Sequence, residues 1–400
     1  MTSLAARRWR SAEGRRVAVT GIGVVAACGI GPEAFWAGLL AEAPTGDRRV
    51  EPFDPTPWFG TKEARRADRF THFAMAAASQ AVEAAGRLDA DPDRCGVLIG
   101  TGVGGLQTVE DQIITHHEKG ARRVSPFLIP MMMGNAAGAA VSMRFGWRGP
   151  CETTVTACAA STHAIGNAAR LVALGTCDAV LAGGSEAAIT PTGLAGFTNM
   201  TALSPTGVSR PFDAGRDGFV IAEGAAVLLL EELEAARARG AHILGEVRGS
   251  ASTADAHHIT APSPGGSGAV RCMELALADA GLGADAVVSV NAHGTSTPLN
   301  DAAEAEALNK VFGTPGPAVT STKGVTGHAL GAAGAFEAAA VLLSFEHRLI
   351  PPTAGLVQVD PDIHLDLVQG EPRPWEPGPT LSNSFGFGGH NGCLVLAPPG

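Results

Sequence analysis

Twice along this chain a short apolar strand passes through a polar turn into a helix made almost wholly of small residues. The two stretches are CETTVTACAASTHAIG at 151–166, continuing to Leu174, and GPAVTSTKGVTGHALGAAGAFEAAAVLLSF at 316–345. Val155 and Thr156 favour an extended backbone, whereas Ala157, Ala159, Ala160, Ala164 and the run to Leu174 read as a buried helix. A second pair shows the same logic: RRVAVTGIGVVAACG at 15–29 leads into a helix through Ala34 to Leu40, and AVVSVNAHGTSTPLNDAAEAEAL at 286–308 is again strand, turn and helix. Two similar halves of alternating strand and helix predict an α/β fold with a pseudo-twofold axis. The expected division is residues 16–250 and 251–400 within one compact unit. Active sites in such folds lie at strand C-termini, where the halves meet.

The other elements follow in order. Residues 45–68 read as a surface loop, 70–85 as a helix, 95–100 as a strand, TGVGGL at 101–106 as a glycine turn, 107–120 as a polar helix and 124–130 as a loop. MMMGNAAGAAVSM at 131–143 suits either an adaptable apolar surface, such as a subunit contact or tunnel wall, or plain core. A buried strand is expected at 177–187, then a charged loop, strand and amphipathic helix across 209–240, and a last strand at 392–397. The TGIG turn lacks the glycine spacing of a dinucleotide fingerprint.

Charge and cysteine usage narrow the function. The net charge is −10, so no basic surplus exists to neutralise phosphates, and nucleic acid is not an expected partner. Arg65, Arg66 and Arg69, or Arg122 and Arg123, form either a local patch for an acidic partner or a solvated face. The 7 cysteines are an odd number with no CxxC pair, which argues for reduced thiols in a cytosolic setting and against a disulfide framework or zinc cluster. MTSLAARRWR has no apolar run behind its charges, so no signal peptide is expected, and residues 1–15 read as a mobile arm. Asn199–Thr201 therefore has no use as a glycosylation match. The apolar stretch 324–343 contains His328, Glu337 and several glycines, which favours a buried functional helix over a membrane span.

The chain has no tyrosine, leaving Cys, His, Lys, Asp and Glu for nucleophile, acid and base work. Cys158 lies near a helix start, where the positive helix end and free N–H groups favour a thiolate; the same place also suits an inert buried thiol. Three further stretches put reactive types on turns. NAHGTSTPLND sets His293 directly after a strand, TKGVTGHALGAAG sets Lys323 and His328 at a loop and helix start, and NSFGFGGHN at 383–391 can present backbone N–H groups as an oxyanion hole. His257 and His258 are adjacent, but no third metal ligand is evident.

TACAAS, SRPFDAGRDGFVIAEGA, NAHGTSTPLND, STKGVTGHALGAAGAFE and NSFGFGGHN, in that order, resemble the β-ketoacyl-[acyl-carrier-protein] synthases, the condensing enzymes of fatty acid and polyketide synthesis. The resemblance spans about residues 16–398. It implies the thiolase fold, with duplicated βαβ halves in a five-layer αβαβα sandwich. It also implies that Cys158 takes the acyl group, that His293 and His328 assist decarboxylation of a malonyl thioester, and that Lys323 and Glu337 form a buried pair. Thr295 and Thr297 match residues holding the pantetheine arm, the N–H groups of Cys158 and Phe387 an acyl oxyanion hole, Phe387 a gating aromatic, and Val103 and Phe197 the end and side of the acyl pocket. Two departures stand out: His390 replaces a frequent threonine, and Ala159 and Ala160 replace frequent serine or threonine.

The implied reaction is decarboxylative Claisen condensation in fatty acid elongation, with no metal or organic cofactor. The alternative is the ketosynthase subunit of a dissociated polyketide system. The implied partners are acyl carrier protein and a second copy in a homodimer, or a chain-length partner in the alternative, with no membrane insertion and a cytoplasmic location. A thiolase or initiating synthase would carry a cysteine or asparagine where His328 stands. A non-catalytic chain-length partner would lack Cys158.

Overall fold

The computed structural model describes residues 14–400. The expected mobile arm lies, up to residue 13, outside the described residues. In the first half Cys95–Gly100 runs parallel to Ala179–Glu186, which pairs antiparallel with Gly224–Glu232, which pairs antiparallel with Val17–Ala26. The second half repeats this: Ser289–Asn291 is parallel to Thr380–Gly386, which is antiparallel to His390–Ala397, which is antiparallel to Gly245–Ala254. The halves join where Val17–Val19 pairs with Gly245–Val247. The duplication is therefore present, but its register differs from the sequence reading. By place in the sheet the counterpart of Val17–Ala26 is Gly245–Ala254, while Ser289–Asn291 matches Cys95–Gly100. Strand, turn and helix recur several times in this chain, and only the pairing partners decide which copy matches which. The expected boundary at 250 falls inside Gly245–Ala254.

The layers follow from which helices are apolar all round. Ala160–Ala173 and Ala333–His347 pack against each other and against strands of both halves. In the second helix every residue from Ala333 to Phe345 is buried, the pattern of a helix covered on all sides. Arg69–Ala85 covers the outer face of the first half, and Ser267–Ala280 with Pro298–Phe312 covers the second. The result is the expected αβαβα sandwich. Phe336, Leu342, Leu343 and Phe345 join the central cluster, each contributing about 1.5–3 kcal/mol on burial.

Small residues make this layer possible. A Cβ on Gly334 would stand 2.0 Å from Thr162 Oγ1 and 2.9 Å from Ser384 Oγ. Gly21 and Gly23, the turn glycines of the sequence reading, instead lie within a strand, where a Cβ would meet the Ala81 and Ala77 carbonyl oxygens at 2.1 and 1.8 Å. They serve close helix packing.

Both central helices start with the same strained turn. Ala157 (φ 48) and Leu330 (φ 45) are left-handed non-glycine residues, each costing about 1–2 kcal/mol. Each opens a short 3₁₀ turn, Ala157–Ala159 or Leu330–Ala332, that runs on into its helix. In the first half the residue after the strained position is Cys158; in the second it is Gly331.

Elsewhere the surface differs from expectation. Residues 45–68 carry two short helices, Thr56–Phe59 and Thr61–Ala64, and Leu128–Met132 is helical where a loop was expected. The methionine stretch is divided: Ala137 and Val141 are core, while Met133 and Met143 are exposed. Stretch 324–343 breaks at Gly327 and Ala329 into separate turns and a helix, and among the described residues no helix is long and apolar enough to cross a membrane.

Replacing Gly334 by alanine overpacks the contact between the central helices. The expected loss is about 1–3 kcal/mol, read as a lower urea midpoint with unchanged slope; an unchanged midpoint would show that the layer can part without cost.

Candidate active site

The strained turn at Ala157 delivers Cys158 into a cavity between the halves. The polar turns after Ser289–Asn291 and before Ala333–His347 bring His293 and His328 to the same point. Cys158 Sγ lies 3.0 Å from His328 Nε2, and one donor atom from each of Cys158, His293 and His328 lies within 4.8 Å of the others. The two imidazoles meet edge to face at 5.4 Å. From the glycine loop, the Phe387 backbone N–H faces the Cys158 thiol and favours its charged form. All three side chains are buried, yet all line a cavity of about 430 Å³.

Lys323 organises the pair of imidazoles. Its Nζ donates to the His293 carbonyl at 2.5 Å, lies 3.4 Å from His293 Nδ1 and pairs with Glu337. A lysine ammonium only donates, so the facing Nδ1 is an acceptor and the ring proton sits on Nε2. Glu337 is further held by Ser384 Oγ at 3.4 Å, which shares a 2.7 Å hydrogen bond with Thr162. Burial, then the charge on Lys323, holds both histidines well below the usual imidazole range. Both are neutral at pH 7, and a neutral imidazole can donate one N–H to an oxygen that acquires charge. His328 Nδ1 is buried without a partner among the described residues.

The thiol departs from the sequence expectation. Burial pushes Cys158 up to about 12, outweighing the opposing effects of Lys323 and the Phe387 N–H. The helix start therefore does not yield a resting thiolate. Cys158 rests as a thiol against the neutral His328 ring, and attack requires its proton to move as the new bond forms.

Thr295 and Thr297 have hydroxyls 2.9 Å apart on the cavity wall. Phe197 and Phe387 line the cavity, Phe197 meeting Phe219 edge to face at 5.6 Å. Val103 is not part of this lining and is 48% exposed. The reason is local: Glu186 accepts the Gly102 N–H at 2.6 Å and the Gly331 N–H at 3.0 Å, tying the turn at 101–104 by its backbone and leaving the Val103 side chain outside. Ala159 and Ala160 are buried behind the nucleophile. His390 opens the last strand. His257 and His258 are exposed, and His258 Nδ1 accepts the Thr260 and Ala261 N–H groups, both at 3.1 Å, so it caps its own loop. Thr260, Ala261, Pro262 and Ser263 of that loop line the cavity.

Three positioning groups escaped the sequence reading. Glu304 accepts the His293 and Gly294 N–H groups at 2.8 and 2.7 Å, and burial raises it to about 7. Glu186 is likewise raised to about 7 by burial. His163 bridges Thr156 Oγ1 (2.8 Å) and the Asn391 carbonyl (3.0 Å), joining the nucleophile turn to the last strand. Glu304 stands among alternating acids in DAAEAEAL, and the pattern does not show which acid turns inward. The Cys158–His293–His328 donors would satisfy the count of a three-ligand zinc site, although the Lys323 ammonium sets positive charge against a cation there.

A duplicated α/β sandwich with a cysteine and two neutral histidines around one cavity defines a thiol-dependent condensing enzyme of the thiolase fold. Comparison with known proteins agrees. Family models for the β-ketoacyl synthase N-terminal and C-terminal domains match residues 45–236 and 244–357. The chain is 46% identical over 408 residues to a Synechocystis protein named 3-oxoacyl-[acyl-carrier-protein] synthase 2, covering 96% of this chain and 98% of that one. It superposes with TM-score 0.91 and 32% identity on the ishigamide ketosynthase/chain length factor, covering 96% of this chain and 100% of that one. A type II polyketide acyl-carrier protein in complex with its ketosynthase contains a similar chain, with TM-score 0.88, 32% identity and the same coverage. The chain belongs to the β-ketoacyl synthase family.

The raised thiol pKa makes a direct prediction. Alkylation of Cys158 by iodoacetamide should accelerate steadily from pH 7 to pH 10. A rate already level below pH 7 would instead reveal a resting thiolate and imidazolium.

Proposed function

We propose that this chain is a chain-elongating 3-oxoacyl-[acyl-carrier-protein] synthase, and the observation that carries this is the convergence of Cys158, His293 and His328 on one cavity with both imidazoles neutral. The Cys158 sulfur attacks the thioester carbonyl of an acyl-carrier protein, and the N–H groups of Cys158 and Phe387 hold the oxygen that becomes negative. The thiol proton goes to the departing pantetheine sulfur as the C–S bond to the arm breaks, so that the arm leaves as a thiol. Malonyl-carrier protein then enters, its arm held at Thr295 and Thr297. Carbon dioxide leaves with cleavage of the C–C bond, the electron pair moves to the thioester oxygen, and the N–H groups of His293 and His328 hold that enolate. Its carbon attacks the Cys158 thioester, forming the 3-oxoacyl chain and expelling the sulfur, which takes a proton from solvent. None of these steps moves electrons to or from an external acceptor. Each donor to a developing oxyanion is worth about 10²–10³ in rate.

A ketosynthase of a dissociated polyketide system uses the same steps, and the likeness to solved ketosynthases of that kind keeps this as the second reading. Acyl carrier protein is the proposed partner in both. Arg65, Arg66, Arg122 and Arg123 are exposed and Arg66 stacks over Phe127 at 4.5 Å, which supports an acidic docking partner, whereas Arg69 of the first cluster is tied up in an ion pair with Glu223. A homodimer in the cytoplasm is proposed as well. Support comes from the short, exposed edge strand Cys151–Glu152 and the exposed Ile113, Ile114, Ile129 and Met133, since an open apolar edge calls for cover.

Replacing Cys158 by serine should abolish acyl transfer, and full condensation activity in that variant would sink the assignment. Replacing His328 by alanine should block carbon dioxide release by at least 100-fold while acylation of Cys158 remains visible as a mass shift; loss of acylation alone would contradict the roles given. Charge reversal at Arg122 and Arg123 together should raise KM for carrier protein about tenfold with little change in kcat and weaken the salt dependence. An unchanged KM would move the docking face elsewhere.

A further inference from the structure

Arg48 lies in the stretch that reads as a surface loop, yet it is only 3% exposed. Its guanidinium makes four hydrogen bonds, and every acceptor is a backbone carbonyl. Nε donates to Val325 at 3.0 Å, Nη2 to Gly324 at 3.3 Å and to Pro44 at 2.6 Å, and Nη1 to Gly46. Burial lowers its pKa to about 10, which leaves it charged at neutral pH. Removing a cation from water with only carbonyls as acceptors is costly, and such an arrangement persists where it holds something in place.

What it holds is the catalytic turn. Gly324 and Val325 belong to the helical turn Lys323–Thr326, and a cation suits carbonyls left open at a helical C-terminus. The main chain acts in the same sense. The Arg48 N–H donates to the Ile221 carbonyl at 2.9 Å, and the Glu223 N–H to the Arg48 carbonyl at 3.1 Å. On the other side of that segment the His328 N–H donates to Val220 at 2.7 Å, and the Ala222 N–H to His328 at 3.0 Å. Arg48 and His328 thus flank one extended segment, and the arginine stem passes against Gly327, where a Cβ would stand 2.6 Å from Arg48 Cγ. Gly327 also has φ 67, so both backbone and contact require glycine there. Arg48 itself does not line the cavity.

We propose that Arg48 is a positioning residue that fixes Lys323 and His328 relative to each other, and so serves the decarboxylation half of the reaction without touching substrate. This rests on the reading of the chain as a decarboxylating condensing enzyme. The test uses the full chain with Arg48→Met, which keeps the stem and removes the guanidinium, and Arg48→Lys, which keeps charge but not the fork. Three quantities are read: acylation of Cys158 by a medium-chain acyl-carrier protein, carbon dioxide release from malonyl-carrier protein, and hydrogen exchange of the 323–328 amides.

In Arg48→Met, carbon dioxide release should fall at least tenfold, acylation should stay within threefold of the unmodified enzyme, and the 323–328 amides should exchange faster. Arg48→Lys should fall between the two. Release and acylation declining together, or release unchanged, would overturn the proposal. Should Arg48→Met not fold, Arg48→Lys decides alone, with a threefold or greater loss of release at preserved acylation as the supporting result and parallel or absent loss as the overturning one. An unmodified enzyme that performs neither step would overturn the functional reading instead, and exchange at 323–328 would still judge Arg48, unchanged exchange in the variants counting against it.

Discussion

The buried contact between Lys323 and Glu337 is the constraint on which the site depends. Both side chains are almost fully enclosed, at 1% and 2% exposure, in a layer built largely of small and apolar residues. Removing one partner of such a pair costs about 3–5 kcal/mol, whereas replacing both by apolar groups can be neutral. Stability is therefore a weak reason for its presence. Its electrostatic consequences are specific: Lys323 depresses both imidazoles and opposes the effect of burial on Cys158. One ammonium thus favours two neutral N–H donors and eases formation of a sulfur anion. Glu337 lets that ammonium exist where water is excluded.

The geometry around this pair is set by backbone. Both central helices begin at a left-handed residue, Ala157 or Leu330, and the strain is carried by dense packing of the helices between the two halves of the sheet. Duplication placed two such turns face to face; the first half uses its turn to expose a sulfur, and the second uses the turn just before it to present His328. The residue that corresponds to Cys158 is Gly331, whose N–H goes to Glu186. The same carboxylate holds the glycine turn at 101–104. The two halves are therefore coupled through hydrogen bonds to backbone as well as through apolar contact.

The α/β class, the layered sandwich and the convergence of Cys158, His293, Lys323, His328 and the glycine loop were legible because each motif joins a strand pattern to a polar or glycine turn. The register of the internal repeat was not, because 286–308 repeats the strand, turn and helix pattern of 15–40, and only the pairing partners show that Gly245–Ala254 holds the place of Val17–Ala26. Nor was the resting state of Cys158. A helix start is visible in sequence, but the depth at which it is buried is a property of everything packed around it, and burial is the larger effect. Val103 shows the same limit, since backbone tethers to Glu186 turn its side chain away from the cavity. Glu304, Glu186 and Arg48 act mainly on backbone N–H or C=O groups, which no sequence pattern displays.

This last group bears on how the site tolerates its own chemistry. Glu186 and Glu304 are carboxyls raised to about 7 by burial while several N–H donors favour their charged forms. A carboxyl raised in the folded state favours folding most below its unfolded value near 4.5, and that contribution fades as pH rises through 7. Near neutral pH most of that contribution has been lost, so these groups are not there for stability. What they provide is orientation: Glu304 fixes the backbone of the turn bearing His293, and Glu186 ties the start of the second central helix to the first half. Arg48 does the converse for the His328 turn, a cation gathering carbonyls where the carboxylates gather N–H groups. The reacting groups remain neutral at rest because burial disfavours their charged forms, with the Lys323 charge adding to that at the two imidazoles, and a low-dielectric cavity so prepared responds to charge only when it appears on the substrate.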